Sequence, residues 1–149
     1  MSVNTDLQGA QYSLPAPFEV GREAIAEFAR AIGATHPAHV DAAAAQELGY
    51  TDVIAPTTFA VIPSQRCEAL YISSPDSGID YSRVVHGQEQ FTYTRPIVAG
   101  DRLAATTHVD GLRESGGNAM ITTRTELTDA HSGEPVVTVT STIVVRGEK

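Results

Sequence analysis

The sequence predicts an α+β domain in which a long antiparallel sheet wraps around one buried helix. Three observations carry this reading. The first half of the chain breaks into helical segments, two of them ended by a glycine, whereas the second half alternates apolar and polar residues in β-branched runs separated by turn residues. Between the halves, a run beginning at Pro56 is apolar on more than one side, as a helix covered by a sheet requires.

Arg22 to Ile32 places Ile25, Phe28, Ala29 and Ile32 at helical spacing, with Glu23 and Glu27 turned outward and Gly33 ready to stop the helix. Asp41 is a natural N-cap for a short helix over Ala42 to Leu48, which Gly49 ends, so the loop holding His36 and His39 is pinned on both sides. Pro56 opens the central helix over Thr57 to Ile72, where Pro63 is tolerated in a first turn or as a kink. After the turn-rich Ser73 to Asp80, three or four segments read as strands: Val84 to Arg95, Leu103 to Glu114, Ala119 to Thr128 and Val136 to Arg146. Their separators, Ala99-Gly100-Asp101, Ser115-Gly116-Gly117-Asn118 and Asp129-Ala130-His131-Ser132-Gly133, are turn chemistry, and an antiparallel meander is the natural order. Such a sheet around one helix is the hot-dog arrangement. The whole chain, 1–149, fits a single domain without repeats or linkers.

Composition excludes several classes of function. The net charge is -8, the only lysine is Lys149 and the arginines are scattered, which argues against nucleic acid as a partner. No window has the roughly 20 apolar residues of a membrane helix, and Met1 to Gln11 lacks the pattern of a signal peptide, so a cytoplasmic protein with no membrane partner is expected. The single cysteine, Cys67, permits no intrachain disulfide and sits in an apolar helical run as a small buried hydrophobe. His36 and His39 are too few for a zinc site, and neither a phosphate loop nor a G-x-S-x-G motif occurs, so no metal or cofactor is expected.

The loop Gly33-Ala34-Thr35-His36-Pro37-Ala38-His39 resembles the G-D-x-N-P-x-H signature of R-specific enoyl-thioester hydratases and MaoC-like dehydratases. His39 stands at the His position, Pro37 at the Pro position, His36 at the Asn position, and Ala34 where the family has its Asp. A second segment, His86-Gly87-Gln88-Glu89-Gln90-Phe91 leading to Arg95-Pro96-Ile97-Val98-Ala99-Gly100-Asp101-Arg102-Leu103, resembles H-G-x-Q-x-F and R-P-I-x-x-G-D-x-L of MaoC-like and fatty-acid-synthase-type dehydratase domains. With Leu48-Gly49-Tyr50 and Ile54-Ala55-Pro56-Thr57-Thr58-Phe59, the likeness runs from about Tyr12 to Val145. The layout is most similar to the acyl-binding, A-type subunits of actinobacterial two-subunit (3R)-hydroxyacyl-carrier-protein dehydratases. The resemblance implies a hot-dog dimer, either homodimeric or paired with a catalytic subunit, and a thioester of coenzyme A or acyl carrier protein as ligand.

Dehydration of a 3-hydroxyacyl thioester needs a base for the proton beside the carbonyl and an acid for the departing hydroxyl, the family's His and Asp. Here His39 is the candidate base, and its other reading is a packed loop histidine. His36, at the position of an orienting Asn, is a candidate substrate contact. Thr57 and Thr58 at the start of the central helix, after Pro56, offer either amides for an enolate-like oxygen or ordinary helix capping. His86 and Gly87 either line an acyl tunnel or relieve strain in a curved sheet. Arg95 either anchors a pantetheine phosphate or bridges loop carboxylates such as Asp101. The alternatives in function are a non-catalytic acyl-thioester binding module and, with Glu68 inside the central helix as its carboxylate, a hot-dog thioesterase.

Overall fold

The computed structural model describes residues 2–148; Met1 and Lys149, the ends of the expected domain, lie outside the described residues. Among the described residues there are three α-helices and six strands, and the strands form one antiparallel sheet packed on one long helix, the hot-dog arrangement. Helix α1, Arg22–Ile32, has the bounds its periodicity predicts, and Gly33 closes it in the left-handed region (φ 72) that residues with a Cβ seldom adopt. Helix α2, Ala42–Glu47, is capped by Asp41, whose carboxylate accepts from the Ala43 amide at 2.9 Å.

The central helix starts as a 3-10 turn, Thr57–Ala60, and continues as α3, Val61–Ile72. Pro63, the third residue of α3, follows that turn closely and, having no N–H, returns no hydrogen bond into it. Cys67, Glu68 and Tyr71 are all buried on this helix, and the Cys67 thiol donates to the carbonyls of Tyr12 and Ala105.

Two short strands that alternation does not reveal, β1 (Gln11–Ser13) and β2 (Phe18–Glu19), both pair with β4. The four long strands are β3 (Val84–Tyr93), β4 (Arg102–Ser115), β5 (Asn118–Asp129) and β6 (Pro135–Val145). Gly116 and Gly117 (φ 59 and 79) make the two-residue turn between β4 and β5, a geometry that demands positive φ at both positions.

The order is β1-β4-β5-β6-β3, which corrects the simple meander. β4, β5 and β6 do run as a meander, but β3 pairs with β6, from Val84 opposite Val145 to Tyr93 opposite Val137. The reason lies in the segment after β3, which forms no hairpin. It is hydrogen-bonded instead to the approach of the central helix and to Val20: Ala55 donates to Ile97, Ala99 to Val53 and Gly100 to Val20, at 2.8 to 3.0 Å. β3 is thereby left as a ten-residue edge strand.

Candidate functional site

The loop after α1 is built almost entirely by backbone geometry. Ala34 returns its N–H to the Ala29 carbonyl at 2.9 Å, and Pro37–His39 form a single 3-10 turn. His36 is the N-cap of that turn, its Nδ1 accepting from the Ala38 amide at 3.1 Å while the ring stays exposed. The Asn position of the motif is therefore filled by a side chain doing what Asn does at a cap, through a ring nitrogen.

His39 is half-buried, and its Nδ1 lies 2.6 Å from the Ile54 carbonyl oxygen. A carbonyl only accepts, so Nδ1 carries a proton, and of the two neutral tautomers this bond selects the one with its lone pair on Nε2. The tautomer a general base needs is thus fixed by the fold. Ile54 also donates its N–H to the Ala38 carbonyl at 3.0 Å, so two hydrogen bonds stitch the histidine loop to the strand-like approach of the central helix. The His36 and His39 rings meet edge to face, 6.1 Å between centroids.

Two residues beyond Ile54 the central helix begins. Pro56 occupies the N-cap position and no side chain caps the turn, so the hydroxyls of Thr57 and Thr58 do not serve as caps and both residues are exposed. The amides of Thr57 and Thr58 have no intrahelical partner and sit at the positive end of the helix dipole, whereas the Phe59 amide already donates to the Pro56 carbonyl at 2.9 Å. From β3, the Tyr93 hydroxyl donates to the Thr57 carbonyl, and burial pushes its pKa up to about 12, which keeps it a donor. The structure therefore brings His39, Pro56, Thr57 and Thr58 into one region.

Position 34 holds only a methyl group. The nearest acid along the loop, Asp41, is engaged as the cap of α2. Asp52, on the other side, is gripped by Arg22 through three hydrogen bonds of 2.8 to 3.1 Å, and the guanidinium holds its carboxyl below the usual range. Arg95 is likewise committed: it reaches Asp101 at 2.8 Å and Asp129 at 3.4 Å, and donates to the Pro96 carbonyl. Of its two readings, the carboxylate bridge is the one the geometry displays, and a phosphate would have to compete with two anions.

His86 and Gly87 lie elsewhere, on β3. The pairing with β6 slips by one residue between His86 and Gln88, and a Cβ on Gly87 would sit 3.5 Å from the Thr142 carbonyl oxygen. His86 lines a cavity of about 580 Å³ between α3 and β3, together with Ile62, Gln65, Arg66, Glu68 and Tyr81.

Beneath α3 the sheet carries polar residues where an apolar face is expected. Glu89 on β3, Ser141 on β6 and Thr123 on β5 are direct cross-strand neighbours in one row. Glu68, 3% exposed, stands over that row and accepts from the Thr123 hydroxyl at 2.6 Å. Burial pushes the Glu68 carboxyl up in pKa, with the Thr123 hydrogen bond and nearby His86 pulling it back; burial and the nearby Glu68 carboxyl both push Glu89 up. Sequence reasoning reached Glu68 only as a thioesterase carboxylate and missed Glu89, Thr123 and Ser141. The available signal was Ser141 at an inward position of the otherwise apolar series Val137, Val139, Ile143, Val145. Among the described residues, no group of three or more His, Cys, Asp or Glu side chains is placed to hold a metal, and no helix is long and apolar enough to cross a membrane.

Known proteins share this architecture. Residues 7–139 match the model of the FAS1-like, dehydratase domain region family. A UPF0336 protein of Clavibacter michiganensis is 53% identical over 148 residues, covering 99% of both chains. The structure is similar to a chain of the C-terminally truncated HadBC (3R-hydroxyacyl-ACP dehydratase) complex of Mycobacterium tuberculosis, at 34% identity, a TM-score of 0.86 and coverage of 94% of this chain and 98% of that one. It is also similar to a MaoC-like dehydratase, at 38% identity and a TM-score of 0.86, with 95% of this chain matching 42% of the longer one. With an oriented histidine beside an uncapped helix entry on a hot-dog scaffold, and with these likenesses along nearly its full length, the chain belongs to the FAS1-like and MaoC-like dehydratase family.

Proposed function

We propose that the chain is the acyl-holding subunit of a two-subunit dehydratase acting on (3R)-hydroxyacyl thioesters of coenzyme A or acyl carrier protein in fatty-acid metabolism. One juxtaposition carries this reading: an oriented His39 and an open helix entry are stitched together through Ile54, while Ala34 puts a methyl group where the chemistry wants a carboxylate. His39 Nε2 is the base for the proton beside the carbonyl. The amides of Thr57 and Thr58 face the thioester oxygen as negative charge grows on it, and Pro56 and His36 shape that end of the site. His86 and Gly87 border the acyl chain; Arg95 braces the turn between β3 and β4 through Asp101 and Asp129, and a pantetheine phosphate would reach it only in competition with them.

A positioned acid or base contributes on the order of 100-fold to 10,000-fold. The missing carboxylate therefore costs the isolated chain at least about 2.7 kcal/mol of barrier. A partner hot-dog chain with an intact Asp and His supplies it. The unpaired edge of β3 supports edge-to-edge pairing of two sheets, and the 34% identical HadBC neighbour is itself a complex. The lone, buried thiol of Cys67 accords with a reducing, cytoplasmic setting.

The test is hydration of crotonyl-CoA by the purified chain, alone and mixed with a MaoC-like hot-dog protein that carries the intact Asp and His. Little turnover alone and a gain of 100-fold or more on mixing are expected, on the order of one catalytic group. Robust turnover by the isolated chain, abolished by His39→Ala, overturns the subunit reading; ligand retention without turnover in any pairing points to a binding module.

A further inference from the structure

The floor of the cavity between α3 and β3 has the wrong chemistry for a plain alkyl chain. Ile62, Ala69 and Ile72 supply apolar wall, but Gln65, Glu68 and His86 share the lining, and Glu68 continues into the row of buried Thr123 and Ser141 and half-buried Glu89. Four buried side-chain atoms among the described residues have no protein hydrogen-bond partner, and three of them cluster about Glu68: Glu89 Oε2, Ser141 Oγ and the hydroxyl of Tyr71, one helical turn on. Ser141 and Tyr71 are 3% and 0% exposed. Buried polar atoms are nearly always hydrogen-bonded; the single Ser141 hydroxyl proton can serve Glu68 or Glu89 but not both, which leaves carboxyl acceptor capacity open beside a cavity of ligand size.

We propose that this cavity receives acyl chains bearing a hydroxyl group toward their far end, held by the carboxyl oxygens of Glu68 and Glu89, in preference to unsubstituted chains. The inference rests on the acyl-thioester reading and narrows its substrate. The methylenes lie along Ile62, Ala69 and Ile72, and the hydroxyl donates to an acceptor that no protein group satisfies. A cationic tail meets the guanidinium of Arg66, which sits 5.0 Å over the Phe18 ring at the cavity wall. A neutral donor escapes that penalty. A site that hydrogen-bonds a ligand group rejects the analogue lacking it far more strongly than an apolar site rejects an added hydroxyl.

Calorimetric titration of the full chain with decanoyl-CoA and with its ω-hydroxylated counterpart tests this. The wild type is expected to bind the hydroxylated thioester about tenfold more tightly, the yield of one hydrogen bond to a carboxyl group. Glu89→Leu is expected to erase or reverse that preference, with Glu89→Ala as the smaller variant if the first unfolds. Equal binding of the two thioesters, or preference for the plain chain, overturns the selectivity and leaves the acyl-thioester reading standing. Binding of neither overturns both.

Discussion

Replacing Glu68 by glutamine isolates what a buried carboxyl does to this fold. Glutamine retains an acceptor for the Thr123 hydroxyl, now 2.6 Å from Glu68 Oε1, but cannot ionise. Burial raises the folded pKa of Glu68, so the folded chain keeps a proton that the unfolded chain releases above roughly pH 4.3. Below that value the side chain contributes its full share of stability; as pH climbs toward the folded pKa, that share is lost. The loss approaches about 1.4 kcal/mol per pH unit within the window, or roughly 3–5 °C in Tm per unit for a chain of this size. The groups facing Glu68 are Glu89 and His86 from β3, Thr123 from β5, Ser141 from β6 and Tyr71 from its own helix. All are common to both proteins, and the one among them that Glu68 itself pushes up, Glu89, is relieved in Glu68→Gln, which acts in the same direction. Thermal or urea unfolding from pH 4 to pH 8 is expected to show Glu68→Gln gaining on the wild type as pH rises. A difference that stays flat, or shrinks with pH, would refute the account of Glu68 as a carboxyl kept neutral by burial.

Two further outcomes follow from the geometry. Ala34→Asp returns a carboxylate to the loop without disturbing its backbone bond to Ala29, and crotonyl-CoA hydration by the isolated chain is expected to rise by on the order of 100-fold; no rise in a folded variant would show that position 34 does not face the reacting atoms. Gly78→Ala forces a Cβ against the Ser2 carbonyl at φ 68, beside the Asn4-to-Ser77 hydrogen bond that straps down the N-terminal segment. It is expected to cost more than about 1 kcal/mol in urea unfolding with an unchanged m-value, whereas a neutral effect would mean that the strap yields freely.

Much of the architecture is legible in the sequence because local rules suffice for it. Helix α1 is announced by its apolar stripe and ended by a glycine in the only conformation that suits it, and the four long strands are visible as alternation bounded by turns. What is not legible depends on partners distant in the chain. β1 and β2 are three and two residues long, too short to carry a period, and exist because β4 offers them an edge. The place of β3 beside β6 follows from hydrogen bonds between residues 53–55 and 97–99, which no local pattern encodes. In the site, the histidine loop and the helix entry are recognisable as motifs, yet the bond from His39 to Ile54 is tertiary. The polar row is hidden for another reason. Threonine and serine are ordinary strand residues, and only the register reveals that Glu89, Ser141 and Thr123 lie side by side under Glu68.

The two bonds through Ile54 have a consequence for how such a site can change. One joins backbone to backbone and the other uses only a carbonyl and His39, so neither depends on what side chain stands at position 34. The carboxylate can be lost there, or returned, without moving the histidine or the helix entry. A gene duplicate freed from turning over substrate on its own would keep its binding geometry intact, and two copies could divide one reaction between them.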